Sequence, residues 1–281
     1  MDPLVFSAIL AAAAMHAGWN AVVKIGLDRF ASILLLALVQ SGIALVLLPW
    51  FAVPAPAAWP WLVASAFLHS GYKIFLIRAY AHGDLSQVYP LARGAAPMMV
   101  ALAGAWALDE ALGPAKAAAV AAIAGGVALM AFKGGAGVSA VPPRAFLYAL
   151  ATAAFTAAYT MVDGIGARLA GTASGFTLWL FVGDGLVMAA YAFTARGPAA
   201  FAPLASSWRS GLVAGALSLG SYWIAIWAFT MAPIALVAAL RETSVLFAVA
   251  IAAVFLQEPV GRWRWLAASL IVAGIAASRV G

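Results

Sequence analysis

The sequence contains no cysteine. That excludes disulfides, iron–sulfur clusters and thiolate zinc sites. Charge is scarce as well: Asp, Glu, Lys and Arg make up 9% of the 281 residues, against 66% hydrophobic. No water-soluble domain has this balance. Neither His-Glu-x-x-His nor Gly-x-Ser-x-Gly occurs, which leaves hydrolytic chemistry without a signature. No glycine-rich loop is built to cradle phosphates, so ATP-driven work has no support. No break between apolar runs is long enough for a soluble domain. A basic leader is missing too. Asp2 starts the chain, and the apolar run Pro3 to Val23 is too long for the core of a cleaved signal, so it reads as a first span.

What remains is apolar length. The mean hydropathy of +1.04 makes this a multi-pass, all-α integral membrane protein. At about 20 residues per span plus short turns, ten transmembrane helices fit. The expected spans are 3–23, 31–51, 58–81, 85–107, 114–132, 144–167, 174–195, 205–230, 234–256 and 262–279. Turn and helix-start signals divide them, among them Pro54-Ala-Pro56, Gly113-Pro114, Pro142-Pro143, Gly197-Pro198 and Pro233. The net charge of +6 is scattered between apolar runs, so it reads as orientation charge and not as a nucleic-acid surface.

The stretch Arg78 to Pro97 departs most from this pattern. It sets Arg93, Pro90 and Pro97 between long apolar runs. An ionisable group at that depth costs several kcal/mol unless paired or hydrated. The prolines remove backbone bonds that lipid cannot replace but a polar cavity can. On a helix Ser86, Tyr89, Pro90, Arg93 and Pro97 share one face. The plain alternative is a kinked helix whose arginine snorkels to the headgroups.

The chain also repeats. A shift of 148 residues lays Arg93 on Arg241, Glu110 on Glu258, Ile123 on Ile271 and Gly126 on Gly274. A shift of 140 lays Trp19 on Tyr159 and Ile25-Gly26 on Ile165-Gly166. Residues 1–134 and 143–281 then hold five spans each, joined by a loop at 135–142. Five is odd, so the copies enter the membrane from opposite sides. Such inverted repeats are the usual plan of secondary transporters, with the substrate site at the repeat interface near mid-membrane.

On these residues the chain resembles a known family. His16-Ala-Gly-Trp19-Asn20-Ala-Val-Val-Lys24, Arg78-Ala-Tyr80 through Tyr89-Pro90-Leu-Ala-Arg93, Leu108-Asp109-Glu110 and its echo Leu256-Gln257-Glu258-Pro259 are similar to the drug/metabolite transporter superfamily, in its EamA-type branch. The resemblance spans almost the whole chain. It implies a bacterial-type inner membrane location and export of small metabolites such as neutral or aromatic amino acids, as in YddG-like exporters. It implies no cofactor, no metal and no catalysis.

Several polar groups are candidates for a site. His16, Asn20 and Lys24 form a stripe on the first span with Trp19 beside it; they serve a cavity or bond neighbouring helices. His69 and Lys73 share a face of the third span, with Tyr72 and Tyr80 on another. Thr152, Thr156, Tyr159 and Asp163 recur along the sixth, where threonines usually bond back to their own backbone. Asp163, near that span's far end, is expected to be wet. Asp184 is centred in its span, where a lone carboxylate must be protonated, hydrated or paired. Tyr222, Trp223 and Trp227 make the eighth span aromatic. Arg241 and Glu242 are adjacent in the ninth; on a helix neighbours point about 100° apart and cannot face one partner.

From these, Trp19, Asn20, His16, Tyr80, Tyr89, Arg93, Tyr159, Tyr222, Trp227 and Arg241 form the expected substrate set, an aromatic wall with arginines for a carboxylate. Asp184 and Glu242 are the expected coupling carboxyls. Two other readings stay open: an intramembrane enzyme with Asp163 and Asp184 as an aspartyl pair, and a flippase for a lipid-linked carrier. Orientation follows the short-loop charges. Lys24, Arg29, Lys133, Arg144, Arg196, Arg209, Arg262 and Arg264 fall on one side, and Lys116, Arg168 and Arg279 on the other. The first group is expected in the cytoplasm, which puts both termini outside. The family resemblance implies the opposite, since ten-span relatives more often keep both termini inside.

Overall fold

Long uninterrupted apolar runs leave the backbone one solution in lipid, which is to satisfy its own hydrogen bonds as helix. A computed structural model describes residues 1–23, 28–82, 85–107, 112–133, 142–247, 250 and 261–280, and no strand occurs among them. The helices are α1 (Pro3–Val23), α2 (Arg29–Leu47), α3 (Trp59–His82), α4 (Leu85–Ala107), α5 (Pro114–Lys133), α6 (Pro143–Leu169), α7 (Ala173–Arg196), α8 (Trp208–Phe229), α9 (Ile234–Arg241) and α10 (Arg262–Val280). Among the described residues, four segments are long and apolar enough to cross a membrane by length and composition: Arg29–Trp50, Pro143–Leu169, Ala173–Arg196 and Pro198–Phe229.

The ends obey local chemistry. Asp28 caps α2 by accepting from the N–H groups of Phe30 and Ala31. The Thr172 hydroxyl caps α7 by accepting from Gly175 N–H at 3.0 Å. Gly197, at φ +65°, terminates α7 in a conformation that favours glycine.

The expected ninth span, 234–256, is not one continuous helix. α9 stops at Arg241, Glu242 and Thr243 form a turn, and helix resumes at 244–247. Here the backbone bonds close three residues back instead of four: Glu242 to Ala239 (3.0 Å), Thr243 to Leu240 (3.1 Å) and Leu246 to Thr243 (2.8 Å). The Thr243 hydroxyl also donates to the Leu240 carbonyl at 2.7 Å. A threonine that competes for its own turn, with no proline present, explains the break. Residues 251–260 of that span lie outside the described residues.

Pairing between the two halves of the chain builds the bundle. α3 packs on α6 and α1 on α8; α4 packs on α6 and α1 on α9; α2 meets α7 and α5 meets α10. Close approaches at glycine come in matched pairs. A methyl group on Gly126 (α5) would stand 2.6 Å from Ile271 Cγ1 and 2.8 Å from the Ala267 carbonyl. One on Gly274 (α10) would stand 2.7 Å from Ile123 Cγ1 and 2.9 Å from the Ala119 carbonyl. Likewise Gly71 (α3) fits against Phe155 (α6) while Gly220 (α8) fits against Met15 (α1), and Gly183 (α7) meets Ala66 (α3) while Gly215 (α8) meets Val39 (α2). Small residues let helices approach where lipid offers no hydrophobic gain from association. Outward, Val46, Phe67, Leu102, Trp106, Leu147, Leu186 and Phe193 stand exposed, as side chains facing hydrocarbon do.

Candidate functional site

Ser65, His69 and Lys73 recur every fourth residue and share one face of α3. That face meets two acids. Asp163, on α6, is completely buried. Its Oδ1 accepts from the Ser65 hydroxyl, and its Oδ2 accepts from the Tyr222 hydroxyl and bonds His69 Nε2 at 2.9 Å. Asp184, on α7, is equally buried; it pairs with Lys73 and accepts from the Ser70 hydroxyl at 3.0 Å. A carboxylate in such surroundings survives only with this kind of partnership. All of these bonds except Tyr222–Asp163 join the first half of the chain to the second. Ser70 and Asp184 also lie at the midpoints of their helices.

Rings wall in the His69 imidazole. Tyr159 stacks on it at 4.0 Å, while Tyr222 at 5.0 Å and Phe181 at 6.2 Å present edges. Arg241 places its guanidinium over the other side of this cluster, 4.7 Å from the centre of the Tyr222 ring.

Beside the cluster is a small recess between α4, α6 and α9. Its walls include Pro97 on α4, Thr156, Tyr159 and Thr160 on α6, Arg241 at the end of α9, and Glu242 just past it. Thr156 and Ala96 are the midpoints of α6 and α4, so the recess lies halfway along both. Arg241 and Glu242 both line it, contrary to the expectation for neighbours on one helix. The break after Arg241 takes Glu242 out of the α9 helix and removes the 100° rule at that point.

The structure brings Tyr159, Tyr222, Arg241 and Glu242 of the expected site together. Asp184 is close by through α3 but is tied to Lys73, which resolves how that lysine is accommodated. Asp163 is dry and triply bonded, not wet as its place near the end of α6 suggested, because α3 and α8 cover it. Thr152 and Thr156 do bond back, to the Tyr148 and Thr152 carbonyls at 2.7 and 2.9 Å. Trp19 donates to His16 Nδ1 at 3.2 Å and Asn20 to the His16 carbonyl at 2.8 Å, bonds that close within α1. Trp227 packs on the apolar core. Trp223 reaches Ser174 at 3.0 Å and Phe51, away from the recess. Lys24, Asp84, Glu110 and Glu258 lie outside the described residues, as do the side chains of Tyr80, Tyr89 and Arg93. The expected set omitted Ser65, His69 and Asp163. The three-fold spacing of polar groups on α3 was the available signal, but nothing in sequence joined it to an acid about 100 residues away. Asp163 and Asp184 hold separate partners and form no shared-proton pair with each other.

No curated protein sequence matches the chain. A crystal structure of a protein 17% identical in sequence has the same fold, with a TM-score of 0.75 over 99% of this chain and 96% of that one. Residues 143–279 match the EamA-like transporter family. The second half of the chain is therefore similar to EamA-like transporter domains.

Proposed function

We propose that the protein is a secondary exporter of small neutral or aromatic amino acids, working by alternating access between two inverted five-helix repeats. The observation that carries this reading is the mid-helix recess in which Arg241 and Glu242 stand side by side among Tyr159, Thr156 and Thr160. An amino acid carries a carboxylate and an ammonium a few ångströms apart. Arg241 is the group for the first, by a bidentate charge-assisted bond, and Glu242 for the second. Tyr159 offers an apolar wall to the side chain. Binding the carboxylate draws the guanidinium from the Tyr222 ring, over which it lies in this structure.

The matched contacts support the repeat. Gly126 with Ile271 and Gly274 with Ile123 exchange under the same shift of 148 that aligns the sequence halves. Contacts that map onto each other in this way are what a two-fold relation produces. The buried bonds joining the halves are then the bonds that a rocking motion carries or breaks.

The test is counterflow of a panel of L-amino acids in liposomes containing the purified protein. Uptake of one or more of them is expected, with a loss of at least about tenfold in Arg241→Gln. Full uptake by that variant would overturn the assignment of Arg241.

A further inference from the structure

The solute reading uses Arg241 and Glu242 and leaves a second polar site unused, next to the recess but outside its lining. We propose that His69 and Asp163, held by Ser65 and Tyr222, are the binding site of a proton that is exchanged with the transported solute. This rests on the transporter reading above.

The geometry defines the protonation states. Asp163 is surrounded by donors: Ser65 O–H at Oδ1, and Tyr222 O–H and His69 Nε2 at Oδ2. A carboxylate filled in this way is an acceptor only, so His69 donates through Nε2–H. Its Nδ1 then carries the lone pair, and no described residue hydrogen-bonds it. A proton from water adds there, breaking no bond, and turns a neutral imidazole beside a carboxylate into an imidazolium–carboxylate pair. Release on the other side of the membrane reverses the step.

Charge decides why this site and not Asp184. The titratable and charged groups around His69 are Asp163 and Tyr159 from α6, Tyr222 from α8, Arg241 at the end of α9 with Glu242 just past it, and Asp184 from α7. Asp184 is matched by Lys73, one turn along α3. Arg241 lies over the Tyr222 ring, and Glu242 is its neighbour in sequence. Among the described residues His69 is the basic group bonded to Asp163. A buried net charge is costly in hydrocarbon and a neutral pair less so. Proton uptake thus changes the cost of moving this cluster. Because Ser65 and His69 come from one half and Asp163 and Tyr222 from the other, it bears on how the halves separate.

Two tyrosines connect the proton site to the solute site. Tyr222 bonds Asp163 by its hydroxyl and carries Arg241 on its ring. Tyr159 stacks on His69 and lines the recess.

The first measurement is an NMR pH titration of protein labelled at histidine, in lipid nanodiscs. The chain has three histidines, His16, His69 and His82, and the His69→Gln variant identifies the His69 signals. The His69 ring-nitrogen signals are expected to change on acidification, and that change to be displaced in Asp163→Asn and in the nearly isosteric Tyr222→Phe. A His69 locked in one state, or a transition unchanged in both variants, would overturn the site. The second measurement uses the same panel of amino acids in liposomes holding a pH-sensitive dye. A gradient of a transported amino acid is expected to drive a pH change, and the protons moved per amino acid to fall at least tenfold in Asp163→Asn and His69→Gln, with recovery in Asp163→Glu. Solute movement without any pH change in the unmodified protein, or an unaltered ratio in both variants, would overturn the coupling. If His69 titrates as described while no amino acid moves, the amino-acid reading fails and the proton site stands.

Discussion

Lys73 and Asp184 meet with their side chains almost wholly removed from water. Each neutralises the other, and the Ser70 hydroxyl supplies a further bond. Removing one partner leaves a buried charge without compensation, which costs about 3–5 kcal/mol, while removing both costs far less. Thermal unfolding in detergent should therefore show a large drop for Asp184→Asn and for Lys73→Met, and a smaller one for the double variant. A double variant that falls by the sum of the two singles would show that the pair is not coupled. Tyr159 belongs to the same scale. As a wall of the recess it should favour aromatic side chains, so Tyr159→Ala is expected to lower the aromatic-over-aliphatic preference by about tenfold in competition uptake. An unchanged preference would remove Tyr159 from the solute site.

The helices themselves were largely legible in the sequence, since apolar length and turn residues leave few other places for their ends. α1 and α4 begin and end at the expected residues, 3–23 and 85–107. The break at Glu242-Thr243 was not legible, because it rests on one threonine's choice of partner within an otherwise regular apolar run. The reciprocal fit of α5 and α10 was half legible: the matched glycines and isoleucines showed in the repeat, but not that each glycine receives the other helix's isoleucine. Backbone carbonyls stand in the way of any added group there. Gly126→Ala and Gly274→Ala are both expected to destabilise the protein, by about 1–3 kcal/mol each and by similar amounts. A loss at one position and none at the other, read from unfolding midpoints, would count against the two-fold relation.

At the scale of the whole molecule, the site was legible in part. Tyr159, Tyr222, Arg241 and Glu242 came from the rule that charge and aromatics deep in a membrane do work. Their convergence with His69 and Asp163 depends on which helices touch, which spacing along one chain does not state. Orientation depends on the charges alone. The exposed pair Arg196 and Asp28, 3.7 Å apart, sets the start of α2 and the end of α7 at the same membrane face, as the charge count requires. With that face in the cytoplasm, a fluorescent protein fused after Gly281 is expected to stay dark and an alkaline phosphatase to be active; a bright fusion with an inactive phosphatase would reverse the orientation.

The central claim is that the recess between α4, α6 and α9 is a solute site that opens to water on alternate sides. A chain without cysteine permits a direct test, since any cysteine introduced is the only one. Thr156→Cys places a thiol on the recess wall. In right-side-out and inside-out vesicles, a membrane-impermeant thiol reagent is predicted to reach this residue from both faces, and a saturating transported amino acid to slow labelling at least tenfold from each. Labelling from neither face, or labelling at a rate the amino acid does not change, would contradict the account.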